Sequence, residues 1–492
     1  MRNVHFIQRI VFCCLVALLL SACGANNNDN AASENEDADG TITLQVMDWS
    51  DSVKTIREEF HNQFMEKYPN IKIEYTQLTV DQFKNTILTA VKSGEAPDLF
   101  PVPSGMKLET LVTDGWFQPI DPLIDQEFKD MFVEGTFTEG ITMNEGQIYA
   151  IPEAQTMPHS LVFYNKTLFE EAGLDPENPP ETYSEFREAA QKITDAGAGQ
   201  YYGMIEGGKQ NNRWLTTAKE WASMAGAGLN SSSPVNLATG STDYATEPVN
   251  GVFELFENLR DDGSLHPKTM SISAPEARAL FGQGQAGFMV QGAWSIGVWN
   301  KENPDLDFGV MAPPVPDSGR KGSIPIVSSA PWMGIYAGSD HPEEAALYLE
   351  ELYGGDYFQA ERVSSGDSFS TVKGINEEFV TDENLKDYYD IVQEVGSRIP
   401  DPVIRNPETV AVFNEYNDVH PDLGGLLGGV VSKAVDNPEQ MLKTYSEQVG
   451  VAWTKAIEAA QEKGADIEET DFVFPNWDPL EDYTEEDYAE LK

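Results

Sequence analysis

The chain has 492 residues, with 32 Lys and Arg against 81 Asp and Glu, a formal net charge of −49. That balance repels phosphate backbones and anionic lipid surfaces, so no nucleic-acid partner is expected. The three cysteines are Cys13, Cys14 and Cys23, and the histidines are scattered singly, so the body has neither a disulfide framework nor the paired spacing of a helical zinc site, and no metal or cofactor is expected.

The first segment places Arg2 and Arg9 ahead of an apolar run from Ile10 to Leu20, followed by the small residues Ser21 and Ala22. This is the layout of an export signal, far shorter than the ~20 residues a membrane-spanning helix needs. Leu20-Ser21-Ala22-Cys23 is similar to the lipobox of bacterial lipoproteins, which implies that residues 1–22 are removed and that Cys23 is lipidated, palmitate included, and N-terminal. An ordinary signal cleaved after Ala22 is the alternative. Residues 24–40 are rich in Asn and acids, with no aromatic and no basic side chain; such a segment cannot bury enough surface to fold and reads as a leash.

Alternation over Thr41 to Trp49, with Ile42, Leu44 and Val46 on one side, predicts a strand. Val53, Ile56, Phe60, Phe64 and Tyr68 then recur at helical spacing, and Pro69-Asn70 ends the helix. Ile71, Ile73 and Tyr75 alternate again. Thr79 with Gln82 forms a capping box ahead of a helix carrying Phe83, Ile87 and Val91, closed by Gly94. Leu99 to Val102 reads as a short buried strand, which Pro101 confines to an edge or an early stop. The order is that of a doubly wound parallel sheet, whose ligands lie beyond the carboxyl ends of the strands, here Asp48 to Asp51 and Val102 to Gly105.

Two prolines between Ile151 and Pro158 suit a passage between domains, after which Leu161, Phe163 and Tyr164 resume a strand. A second capping box, Thr182 to Glu185, opens a helix through Phe186, Ala189 and Ile193. Pro313, Pro314 and Pro316 mark another crossing, helix returns from Glu343 to Tyr353, and the end from Asn376 is mainly helical until Asp466. The chain reads as α/β throughout, with a domain crossing at each of these proline-marked stretches.

Gly94-Glu95-Ala96-Pro97-Asp98-Leu99, the stretch Tyr149 to Pro152 leading to Phe163 through Leu174, and Phe281 through Trp294 together resemble the extracellular solute-binding proteins, family 1, which serve ABC importers of sugars. The ending Asp471 to Pro479 is similar to the lipoprotein branch of that family. The resemblance implies a fold class of α/β with two periplasmic-binding-protein-like lobes, each a mainly parallel sheet flanked by helices, and a ligand cleft between them. The first lobe is expected to take residues 41–153 plus about 310–365 and the second 154–309 plus about 366–492. The resemblance further implies a cell-surface, lipid-anchored monomer that captures a carbohydrate, expected to be an oligosaccharide, and delivers it to the importer's membrane subunits. It implies no enzymatic activity.

A sugar offers hydroxyls at its edges and aliphatic hydrogens on its faces, so its site needs flat aromatics with donors and acceptors beside them. In several members of the family the tryptophan of the third motif stacks on sugar, so the resemblance points to Trp294. Trp49, Ser50 and Asp51 follow the first strand and Ser104 the third, where such sheets bind ligands; capping of the helix near Val53 is the competing role for Ser50 and Asp51. Glu153 and Gln155 lie on the first crossing segment, which lines the cleft in the family. Asn212, Arg213 and Trp214 combine an amide, a donor fork and an aromatic plane, and Trp332 offers a second aromatic wall, although Arg213 suits an acid partner and Trp332 a core position equally. Two other classes share these features: a surface glycoside hydrolase or lyase, which needs two suitably spaced carboxylates, and a peptide-binding or adhesive surface protein.

Overall fold

The computed structural model describes residues 41–491 apart from 51, 52, 134, 231, 232 and 328, and only the backbone of Asp81. The export signal, Cys23 and the leash therefore lie outside the described residues, as does Asp51. Among the described residues no helix is long and apolar enough to cross a membrane.

Two sheets organise the chain. Strands Ile42–Asp48, Ile71–Gln77, Leu99–Pro101, Phe117–Gln118 and Met333–Tyr336 form one, in the order 71–77, 42–48, 99–101, 333–336, 117–118. Strands Leu161–Asn165, Tyr202–Ile205, Ala286–Gln291 and Phe308–Met311 form the other, in the order 308–311, 161–165, 286–291, 202–205. The apolar alternation dictates which layer each strand holds. Leu44, Val46 and Leu99 face Phe60, Phe64, Tyr348 and Leu349 on one side of the first sheet, and Phe100 faces Phe83, Ile87 and Leu111 on the other. In the second sheet Val162, Phe288 and Val290 join Trp221 and Phe256, while Leu161, Phe163 and Met289 join Trp299 and Tyr388. Each aromatic so buried contributes about 1.5–3 kcal/mol.

The early elements lie where the periodicity places them. Lys54–Lys67 and Val80–Ser93 are helices; Thr79 and Gln82 close the capping box, and Gly94 ends the second helix at φ +76°, a conformation that favours glycine. The 182–185 box likewise starts the helix Tyr183–Gly197. Of the two readings of Pro101, the early stop holds and the edge does not: Leu99–Pro101 is a central strand, between 42–48 and 333–336, and Pro101 is its last residue.

The sheets are also mixed and not mainly parallel. Strand 42–48 pairs in parallel with 71–77 and 99–101, but 333–336 runs antiparallel to both its neighbours. In the second sheet 161–165 is antiparallel to 286–291 and 308–311, and only the 202–205 pairing is parallel. The reason is the route of the chain. Strands 42–48 and 99–101 end at the cleft, whereas 161–165 and 333–336 each follow a passage from the other lobe, begin at the cleft and run away from it. The passages lie between Ile151 and Leu161, between Ile326 and Met333, and again along Asp367 to Val380, where Phe369 packs in the second lobe and Val372 in the first. The second passage is later than the prolines at 313–316 suggest, because Ile324–Ile326 still pairs with Gly396–Arg398 and Ile324 packs in the second lobe. The C-terminal helix Pro438–Glu462 and the residues after it also pack there, around Trp453 and Phe474.

Candidate functional site

Strand ends from both sheets converge beside the passages, and the site is built from what stands on them. On the first lobe, Trp49 follows strand 42–48 and Trp332 precedes 333–336; their rings meet edge to face at 4.6 Å, and Phe83 supports Trp49 at 4.7 Å. Both tryptophans are partly open, yet Trp332 Nε1 is buried with no hydrogen-bond partner among the described residues. Ser50 donates its backbone N–H to Asp48 Oδ1 at 3.0 Å. Ser104 is exposed, its carbonyl held by Lys84 Nζ at 3.2 Å.

On the second lobe, Trp294 begins the helix Trp294–Glu302 directly after strand 286–291. Its ring lies against Gly292 so closely that a Cβ there would come within 2.2 Å, so the glycine is required for the placement of the indole. His159 stands edge to face on Trp294 at 4.7 Å. Four polar residues of this lobe escaped the sequence reading: His159, Ser160, Lys219 and Glu220. Ser160 Oγ donates to Glu220, and Lys219 Nζ donates to the carbonyl of Asn230 at 2.9 Å.

The electrostatics of this wall are unusual. Burial pushes the Glu220 carboxyl up to about 7, against the pull of Ser160 and Arg213. Burial lowers Lys219 to about 8, with Asp418 and Asp422 opposing. His159 is exposed by area but crowded by protein on its other sides; that crowding, with the Arg213 charge, lowers its imidazole to about 4. At neutral pH the wall thus offers a neutral imidazole, a carboxyl near its midpoint and an ammonium whose charge is poorly solvated.

Several sequence candidates have other work. Glu153 is buried between two guanidiniums, bound to Arg57 and 3.2 Å from Arg362. Arg57, fully buried, also meets Asp48 at 2.8 Å, and Arg362 meets Asp367 at 2.8 Å. Three carboxylates and two guanidiniums thereby link the end of strand 42–48 to the first and third passages, and Glu153 has no oxygen left without an ionic partner. Gln155 ties the same passages together, donating from its backbone to Phe369 O at 2.8 Å and from Nε2 to Ser370 O at 2.9 Å. Arg213 is buried and spent on Glu206 at 3.3 Å and Val290 O at 2.6 Å. Trp214 is a core residue, 1% exposed, packed on Phe256 with Nε1 donating to Gly208 O. Asn212 is exposed on the first turn of helix Asn211–Met224. Glu153, Arg213 and Trp214 are therefore withdrawn from the cleft surface, because the polar groups they would offer a ligand are already satisfied within the protein.

Comparison with known proteins bears on what such a cleft does. Residues 49–356 match the family model described as bacterial extracellular solute-binding protein. A binding protein of Brucella abortus is 26% identical over 318 residues, 65% of this chain and 73% of the relative. The maltotriose-binding protein of Pyrococcus abyssi is 23% identical over 412 residues, 79% of this chain and 77% of its own. Among solved structures, the GacH receptor of Streptomyces glaucescens, solved unliganded and with acarbose, superposes with a TM-score of 0.65 at 18% identity, covering 85% of this chain and 99% of that one. The maltotriose-bound MalE domain of Bdellovibrio bacteriovorus gives 0.62 at 20% identity, covering 85% and 100%. At these identities the superpositions establish a shared two-lobed fold.

Proposed function

The chain belongs to the bacterial extracellular solute-binding proteins, and from that premise we propose that it captures a carbohydrate, an oligosaccharide in particular, between its lobes and presents it to the membrane subunits of an ABC importer. The observation that carries this reading is the pair of aromatic walls, Trp49 with Trp332 and Trp294 with His159, each at strand ends beside the passages. Indole faces match the aliphatic faces of sugar rings, and the partly open Glu220, which buried Ser160 orients, and Lys219 supply acceptors and donors for ring hydroxyls. A ligand touching both walls bridges the lobes and shifts the population toward closure.

Binding by relatives of maltotriose and acarbose makes a glucose oligosaccharide the first ligand to try. Titration calorimetry with maltotriose and related sugars is expected to give saturable heat with no product, and the absence of binding across a broad sugar panel would sink the reading. One observation favours a second role. A carboxyl raised to about 7, as Glu220 is, is the property a glycosidase acid requires, so release of reducing ends in the same mixtures would replace a binding protein with an enzyme.

Lipidation at Cys23 completes the proposal. It would hold the receptor on the outer face of the membrane beside its importer, with residues 24–40 as a tether that permits reorientation. Cys23→Ser is expected to release the protein into the medium with ligand binding unchanged, and its retention in the membrane fraction would refute the anchor.

A further inference from the structure

The lobes touch at a second place, away from the passages. The helix Pro402–Arg405, the 3-10 turn Pro407–Thr409 and the helix Val410–Glu415 form an arm fixed to the second lobe. Val412 packs with Val235, Trp453 and Ile457, and Arg405 Nη1 donates to the carbonyls of Thr470 and Val473 at 2.6 and 2.5 Å. The other side of the arm rests on the first lobe. Lys107 Nζ lies 5.2 Å from the centre of the Phe413 ring, and Asn414 Nδ2 lies 3.5 Å from Thr110 Oγ1. Gly140, at φ +78°, is so close that a Cβ would come within 2.2 Å of Val403 Cγ1. Lys107 and Thr110 stand just beyond strand 99–101, at the cleft end of the first sheet, so hinge opening of the lobes must strain or break this contact.

The contact contains its own opposition. Glu109, half-buried between Lys107 and Thr110, has a carboxylate oxygen, Oε2, buried without a hydrogen-bond partner among the described residues. Burial raises its carboxyl above the ordinary range, and Glu408 on the arm and Glu139 on the first lobe raise it further. Glu408 accepts from Asp466 N at 2.6 Å and Glu139 from Gly146 N at 3.1 Å, partners that neutralise neither. The other charged groups on and beside the arm include Lys107, engaged with Phe413; Asp401, which feels Lys107; Arg405, bound to backbone carbonyls; Glu415, paired with Lys463; and Asp471, which accepts from Asn406 Nδ2.

We propose that the arm 402–415 is a latch between the lobes, separate from the hinge, whose grip is loosened by the like charges of Glu109, Glu139 and Glu408, so that the unliganded protein is more closed in acid than at neutral pH. The sign follows from linkage. A carboxyl whose proton is held more tightly in the latched arrangement favours that arrangement at low pH, and the advantage is lost as pH rises through its titration. The inference concerns the unliganded chain and stands whatever solute the cleft takes.

Small-angle scattering of the full chain without ligand at pH 5 and pH 8 tests it. The native protein is expected to expand with rising pH by on the order of 1 Å in radius of gyration, the scale of a modest hinge opening. Glu408→Gln keeps the acceptor for Asp466 N while removing the charge, and should stay compact at pH 8. Lys107→Ala combined with Asn414→Ala should be expanded at both pH values. A native radius that does not change with pH, or a Glu408→Gln protein that expands as the native one does, overturns the latch.

Discussion

At the hinge, Arg57 and Arg362 are surrounded by Asp48, Glu153 and Asp367, every ion pair at 3.2 Å or less and four of the five side chains buried. Across the cleft, Lys219 and Glu220 are held by neutral groups, a carbonyl and a serine hydroxyl, and remain partly open. The residue types are the same in both places, and the difference lies in who answers the charge. Where an opposite charge bonds it directly, the group becomes a fixture joining lobe and passages, although burial still outweighs the Arg57 charge at Asp48 and holds that carboxyl above its ordinary range. Where the bonded partner is only a dipole, opposite charges act without an ion pair, as Arg213 does on Glu220 and Asp418 and Asp422 do on Lys219. Burial outweighs them there and drives both groups toward neutrality, and a ligand hydroxyl can still improve their lot.

The comparison breaks most readily at Glu153. Glu153→Ala leaves Arg57 and Arg362 buried and undercompensated, which should cost about 3–5 kcal/mol in denaturant unfolding. A loss of sugar affinity with stability intact would return Glu153 to the cleft surface. Trp294→Ala should act the other way, lowering sugar affinity by about 30- to 100-fold, the scale of a binding hot spot worth about 2–3 kcal/mol. Its unfolding free energy should change less than that of Glu153→Ala, since the ring is partly open.

A smaller effect tests the electrostatics of the second wall. Glu220 has its folded value raised to about 7 from 4.5, so the native state binds the proton more tightly than the unfolded chain does. Its contribution is therefore most favourable below 4.5 and declines as pH rises to 7, by at most about 3–4 kcal/mol. Glu220→Gln should flatten that part of the stability profile measured by unfolding at pH 4.5, 6 and 8. An unaltered slope would mean that the carboxyl titrates normally and that its environment is wetter than its burial implies.

Much of the first lobe was legible because its signals are local. Capping boxes, the Gly94 stop and the alternation of Leu44 and Val46 each act within a few residues. The three tryptophan candidates had different grounds: Trp49 follows a strand whose end such a topology directs to ligand, Trp294 was singled out by the motif of the family resemblance, and Trp332 was an aromatic that suited a core position equally; the structure sets each beside a strand end. What misled was pairing over long distances. Glu153 finds its guanidiniums 96 residues before it and 209 after it, and nothing in the sequence around it announces either. Arg213 was open to both readings until Glu206 and Val290 claimed it. Lys219 and Glu220 had a faint signal, a charged pair inside a helix that otherwise presents Trp214, Ala218, Trp221 and Ala222 to the core. His159 and Ser160 had none, since a single His and Ser beside a proline occur in many loops.

The smallest effect expected is also the one that separates the two walls most finely. Trp332 is wedged against Trp49 with an indole nitrogen that is buried and makes no bond among the described residues. A polar group in that state is a cost to the fold, and Trp332→Phe removes it while keeping an aromatic ring against Trp49. Unfolding free energy should therefore stay within about 0.5 kcal/mol of native, the lost N–H offsetting part of the lost ring area. If the nitrogen is kept to donate to a ligand hydroxyl, sugar affinity should fall by about tenfold, the worth of one neutral hydrogen bond lost from a desolvated site. Unchanged affinity with unchanged stability would leave the first wall as a passive surface and assign recognition to Trp294 and Glu220 alone. A clear loss of both would show that the indole nitrogen is answered within the fold, and would make Trp332 a fixture of the same kind as Glu153.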